Sequence, residues 1–180
     1  YGTTFNPATT AFTNTALQNG ETVTAVVETT TSTPPTASVP GPYPIVITPG
    51  SATGTFTPGN YTITYVNGAL TVTPAPLIVT ANNNTKVYGT TFTPAGTAFT
   101  TTALQNGEVV GSVTEVSPAG TPPTAAVPGP YAITPSAATG GTFTPANYTI
   151  TYVDGALTLT PAPLPVADNH NTKGSGTRAG

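Results

Sequence analysis

Apolar and polar residues alternate along this chain in short runs, separated by Pro, Gly and Asn. The clearest run is 61–66 (Tyr-Thr-Ile-Thr-Tyr-Val), followed by 69–73 (Ala-Leu-Thr-Val-Thr). A period of two is the pattern of a half-buried strand. Asn67-Gly68 between the runs is the favoured two-residue type I′ turn, so a hairpin is predicted. That turn pairs Val66 with Ala69, Tyr65 with Leu70 and Ile63 with Val72. One face then carries Tyr65, Leu70, Ile63 and Val72, and the other carries threonine. A one-residue slip would mix the faces. The second occurrence, with Asp154-Gly155 as its turn, predicts that Tyr152 opposes Leu157 and Ile150 opposes Leu159.

Other strands are expected at 77–80, which follows Pro74-Ala-Pro76, and at 45–47 and 132–134, each between Pro residues. Residues 23–27 and 109–116 also read as strand. There Val23 and Val26, like Val110 and Val113, cannot share a face without a bulge. Segments 30–42 and 118–130, rich in Pro and Thr, are expected to be loops or edge strands.

The chain repeats itself. Tyr1-Gly-Thr-Thr-Phe5 recurs as 88–92, Ala16-Leu-Gln-Asn-Gly-Glu21 as 103–108, and Asn60-Tyr-Thr-Ile-Thr-Tyr-Val66 as 147–153. The offset is 87 residues throughout, slipping to 88 at Thr33-Pro-Pro-Thr36 against 121–124. Self-similarity at a fixed period marks tandem domains. The expected division is a first copy at 1–76, a second at 77–163, and a segment 164–180 beyond it. The phase is offset: the first copy begins at its Tyr-Gly and lacks the first strand that 77–86 supplies to the second. Residues 164–173 are a surplus first strand. The fold class expected is mainly β: two small antiparallel or mixed domains, β-grasp-like or sandwich-like, arranged as a rod.

Composition narrows the function. Thr accounts for 43 of 180 residues, Pro for 21 and Gly for 19. These residues are poor in helix interiors, which disfavours a helical fold. Three cations (Lys86, Lys173, Arg178) are too few to neutralise a nucleic-acid backbone. No apolar run approaches the length of a membrane helix, so no membrane insertion is expected. With no Cys and one His, zinc and iron–sulfur sites lack their ligands, and no cofactor is expected.

At Lys86-Val-Tyr88-Gly89, at Gly41-Pro-Tyr-Pro-Ile45 and 129–133, and at Asn60-Tyr through Gly68-Ala-Leu-Thr-Val, the chain resembles the MBG domain of the YGX type. The resemblance covers 1–173. It implies a small, mainly β module, found in tandem arrays in large secreted bacterial adhesins and autotransporter-like proteins. It also implies an extracellular, bacterial-surface setting, no known catalytic residues, and a role as a stalk projecting other domains.

Candidate chemistry is sparse. Glu21 and Glu28, recurring as Glu108 and Glu115, are the one conceivable carboxylate pair. Charge at strand ends explains them without catalysis, and no enzyme activity is expected. Calcium would need a cluster of acidic ligands that the sequence lacks, so no metal site is expected. His170 has no nucleophile partner. Lys86 is the one Lys inside the complete repeat, and Lys173 holds its equivalent position. An isopeptide crosslink from Lys86 is the sharper reading. The plainer one packs its stem on the sheet and leaves its head in water. The tyrosines recur in pairs and read as packing; exposed ones could instead stack on sugars. Asn60, Asn83 and Asn147 match N-glycosylation acceptors.

The partners expected are neighbouring repeats or identical subunits. The sharper expectation is donor-strand complementation. The segment 164–173 of a neighbouring subunit, carrying Leu164, Val166, Asp168 and Lys173, would fill the gap in the first copy. Such a head-to-tail contact does not close and builds a filament. The alternative is a glycan- or surface-binding adhesion module.

Overall fold

A computed structural model describes residues 1–31, 34–39 and 41–168. It is mainly β, with both parallel and antiparallel pairings. The first copy holds β1 (Val23–Ala25), β2 (Glu28–Thr29), β3 (Tyr43–Ile47), β4 (Thr53–Gly54) and β5 (Gly68–Leu70). The second holds β6 (Ala75–Ala81), β7 (Asn84–Val87), β8 (Phe99–Thr101), β9 (Val110–Val116), β10 (Tyr131–Gly141), β11 (Tyr148–Val153) and β12 (Gly155–Thr160). The second copy packs a sheet ordered β7-β12-β10-β9 against one ordered β11-β6-β8.

Strand β6 organises the second copy. Its Leu-Ile-Val run favours extended backbone, and alternation buries Ala75, Leu77, Val79 and Ala81. It pairs in parallel with β11, placing Leu77 opposite Ile150 and Val79 opposite Tyr152. On its other side it runs antiparallel to β8, with Ala81 opposite Phe99. Ala75, Leu77 and Val79 join Val113, Ala138, Phe143 and Tyr148 in one core cluster. Ala81 joins Ala125, Ile133, Leu157 and Leu159 in the other. Fully burying one such leucine contributes about 1.5–3 kcal/mol, and Leu77 has no exposed surface.

The strands expected at 77–80, 45–47, 132–134, 23–27 and 109–116 all form, the fourth of them shortened to Val23–Ala25. The bulge expected between Val23 and Val26 forms, with the register shifting between Val23 and Ala25 on β1. The one expected between Val110 and Val113 is displaced to the partner strand: the extra residue lies on β10, between Ser136 and Thr139, and Val110 and Val113 still pack on the same core.

The predicted hairpin does not form. β11 belongs to the β6 sheet, while β12 lies between β7 and β10 in the other, so the chain crosses between sheets at Asp154. Tyr152 opposes Val79, and Leu157 opposes Tyr131 and Asn84. Neither Asn67-Gly68 nor Asp154-Gly155 has the positive φ that a type I′ turn requires. Gly155 serves close approach instead: a Cβ there would lie 2.6 Å from the Ala81 carbonyl oxygen and 2.8 Å from that of Asn82.

The first copy repeats this plan without a counterpart of β6. Residues 12–14 and 61–66, the equivalents of β8 and β11, join no ladder. Both core clusters lie in the second copy, and among the described residues the buried apolar ones of the first are Val26 and Phe56. A strand needs a neighbour for its backbone groups, and none of the described residues supplies one here.

Candidate functional site

An open groove of about 510 Å³ lies in the first copy, lined by Phe12, Asn14, Ile45, Ile63 and Tyr65 among others. Its walls are the equivalents of β8 and β11. It is the place that β6 fills in the second copy. A second cavity, of about 160 Å³, is lined by Thr3, Pro34, Leu70 and Val72. Residues 70–73 correspond to the part of β12 that holds β7 in parallel, Leu157 to Thr160. The two hollows therefore lie where a first strand and its lead-in would lie.

The predicted donor segment follows β12. Residues 161–168 are in no ladder, and Leu164 and Val166 are 85% and 88% exposed. Asp168 is exposed as well. Lys173 and His170 lie outside the described residues. In the repeat, Leu164 occupies the place of Leu77, Val166 that of Val79, and Asp168 that of Ala81. Pro165 replaces Ile78, whose N–H donates to the Thr102 hydroxyl at 3.0 Å. A proline there forfeits one side-chain bond and no ladder bond.

Lys86 is buried, so its head is not in water. Its Nζ donates to the carbonyl oxygens of Pro122 at 2.6 Å, Thr90 at 3.1 Å and Thr121 at 3.4 Å. An ammonium with three carbonyl acceptors is satisfied in a low-dielectric setting. Among the described residues its hydrogen-bond partners include no carboxylate and no side-chain amide.

Tyrosine hydroxyls pin equivalent loops in both copies. Tyr43 donates to the Ser38 carbonyl and Tyr131 to that of Ala126, each at 2.8 Å. The hydroxyls of Tyr65 and Tyr152 accept from the N–H groups of Gly50 and Ala138. The third pair engages carboxylates: Tyr61 donates to Glu21, and Tyr148 to Glu108. Burial, and then the bond to Glu108, push the Tyr148 phenol up to about 12. The bond to Glu21 is the first cause of a rise at Tyr61. Glu115 is separate from these contacts; burial raises its pKa, and its Oε1 has no hydrogen-bond partner among the described residues. No group of three His, Asp or Glu side chains that could hold a metal occurs among the described residues.

The copies also meet through a contact that sequence reasoning missed. Tyr1 donates to Glu108 Oε1 at 2.9 Å and stacks edge-on against Tyr148, with ring centroids 5.6 Å apart. The Val39 N–H donates to Asn147 Oδ1 at 3.0 Å, and Asn147 is thereby buried. Asn106 Nδ2 reaches the Pro35 carbonyl at 3.4 Å. The one available signal was that every participant recurs at the repeat offset.

No curated protein and no solved structure matches the chain. The family described as MBG domain (YGX type) matches twice, over residues 1–71 and 77–158. The second match begins within β6, and the first begins where a strand of that kind would already have ended. With both copies matched, the chain belongs to the MBG domain (YGX type) family, as two consecutive repeats.

Proposed function

We propose that this chain is a non-catalytic structural repeat of a bacterial extracellular protein, serving as adhesin stalk or fibre subunit. Each copy is completed by a strand leading in from its neighbour. The observation that carries the reading is the groove between 12–14 and 61–66, which has the place and the walls of the β6 seat. Its occupant is the segment from Leu164 to Lys173 of another copy. Leu164 and Val166 would enter as Leu77 and Val79 do, and parallel pairing with 61–66 would satisfy the open backbone. Lys173 would bring to the first copy what Lys86 brings to the second.

The contact is head-to-tail and does not close, so it extends a filament. In a longer array the same strand would arrive within one chain, and the product would be a stalk of fused domains. In both cases the protein's work is spacing and the transmission of tension. Three cations in 180 residues argue against nucleic acid as a partner. No helix among the described residues is long and apolar enough to cross a membrane.

The test is electron microscopy of the purified chain over a range of concentrations, beside a variant lacking 162–180. Filaments that vanish with the deletion are expected. Filaments that persist without 162–180 would overturn strand exchange.

A further inference from the structure

The junction between the two copies is built from residues that every copy carries, yet its two halves are also present unmatched. One half is the face of Gln105, Glu108, Asn147 and Tyr148, which the first copy covers. The other is the Tyr1-Gly2 corner with Pro35 and Val39. Tyr1 sits in its repeat position: its amine donates to the Thr73 carbonyl, as the Tyr88 N–H donates to that of Thr160. Gly2 has φ +86°, and a Cβ there would run into the Gln105 side chain.

The same parts elsewhere lack their complement. Gly89 has the same conformation, φ +90°, but a Cβ on it would meet nothing within 4 Å. Tyr88 is 46% exposed, and its hydroxyl has no hydrogen bond among the described residues, whereas Tyr1 is half-buried. On the first copy, Asn60 is exposed where Asn147 is buried, and Tyr61 is half-buried where Tyr148 is buried. Glu21 receives the Tyr61 hydroxyl, as Glu108 receives that of Tyr148, but no second tyrosine among the described residues reaches it.

We infer that the face of Gln18, Glu21, Asn60 and Tyr61 is a docking site for the Tyr88-Gly89 corner, with Pro123 and Val127, of another copy of this repeat. Tyr88 donates to the second oxygen of Glu21, and its ring covers Tyr61. The Val127 N–H donates to the Asn60 amide oxygen, and Gly89 lies against Gln18. This contact rests on reading the chain as a repeat array and not on strand exchange. It fixes the rotation between successive copies, so each junction repeats the geometry of the one within the chain. The corner and the strand lie on the same side of a copy: the first copy offers Tyr1 to the second while leading directly into β6.

The test separates the two contacts by using the full chain with Leu164→Asp and Val166→Asp, which disable the strand. In this background, amide chemical shifts are followed against protein concentration up to about 1 mM. Weak association is expected, with shifts at Glu21, Asn60, Tyr88 and Val127. Tyr88→Phe should weaken it by about tenfold, the loss of one hydrogen bond to a charged group. Tyr88→Ala and Glu21→Ala should weaken it further. Association that ignores all three substitutions, or shifts confined to other faces, overturns the docking site. So does the absence of association. Strand exchange is then judged separately, from filaments of the unsubstituted chain.

Discussion

Tyr1 donates its hydroxyl to Glu108 at 2.9 Å, so a tyrosine of the first copy shares the carboxylate that Tyr148 of the second copy also engages. The two copies are thus joined by a built contact as well as by covalent linkage. Glu108 accepts two phenols, and the Tyr148 ring packs against both Tyr1 and Phe143. Charge-assisted bonds of this kind are stronger than neutral ones. Tyr148→Phe keeps the ring but removes the hydroxyl that Glu108 and the Gln105 N–H both use. It should cost about 1–3 kcal/mol in urea unfolding of the second copy.

The same phenol sets an alkaline limit. The folded chain holds Tyr148 at about 12, above the value near 10 of an unfolded tyrosine. The fold favours the protonated form. Its contribution is therefore complete below pH about 10 and lost as pH climbs toward 12. Unfolding free energy followed by urea titration should fall over that window in the wild type, and fall less in Tyr148→Phe.

Leu77 and Leu164 hold the same repeat position in opposite surroundings, fully buried and 85% exposed. Leu77→Ala should destabilise the second copy by about 2–5 kcal/mol. Leu164→Ala should leave monomer stability within about 0.5 kcal/mol, yet weaken filament growth measured by light scattering. Asp168 takes the place of buried Ala81, and an aspartate is costly in an apolar seat. Asp168→Ala should therefore promote filament growth in the same assay.

The crossover at residues 154–155 separates two readings of one dipeptide. A type I′ turn would make both residues sensitive, whereas the observed backbone needs the glycine alone. Asp154→Ala should change stability by less than about 0.5 kcal/mol. Gly155→Ala should cost about 1–3 kcal/mol, because its methyl meets the Ala81 carbonyl oxygen. Thermal unfolding of the two variants distinguishes them.

Lys86→Met removes the donor from three carbonyls at once. A loss of about 1.5–3 kcal/mol is expected by denaturant titration. Intact mass should equal that of the sequence, with no loss of ammonia.

The repeat, its period and most strands were legible because a period of two survives in β6 and β11 whatever they pair with. Pairing was less legible for the same reason. The alternation in 61–66 and 69–73 fits a hairpin as well as two strands in separate sheets, and Asn-Gly tipped the reading toward the turn. β7 and β8 escaped notice because they are short and largely polar, and are strands by virtue of their neighbours β12 and β6. The carbonyls around Lys86 include two from residues 35 and 36 positions further along, which local pattern does not reveal. The groove, by contrast, was foreseeable from phase alone, since a repeat without its first strand leaves that strand's neighbours unpaired.

Under the proposed strand exchange, the groove of the first copy receives a strand from another copy. The most direct measurement is amide hydrogen exchange at 61–66 as protein concentration is raised through the onset of filament growth. Protection at 61–66 should rise to that of 148–153, which β6 already pairs. Filaments that form while 61–66 continues to exchange freely would contradict it.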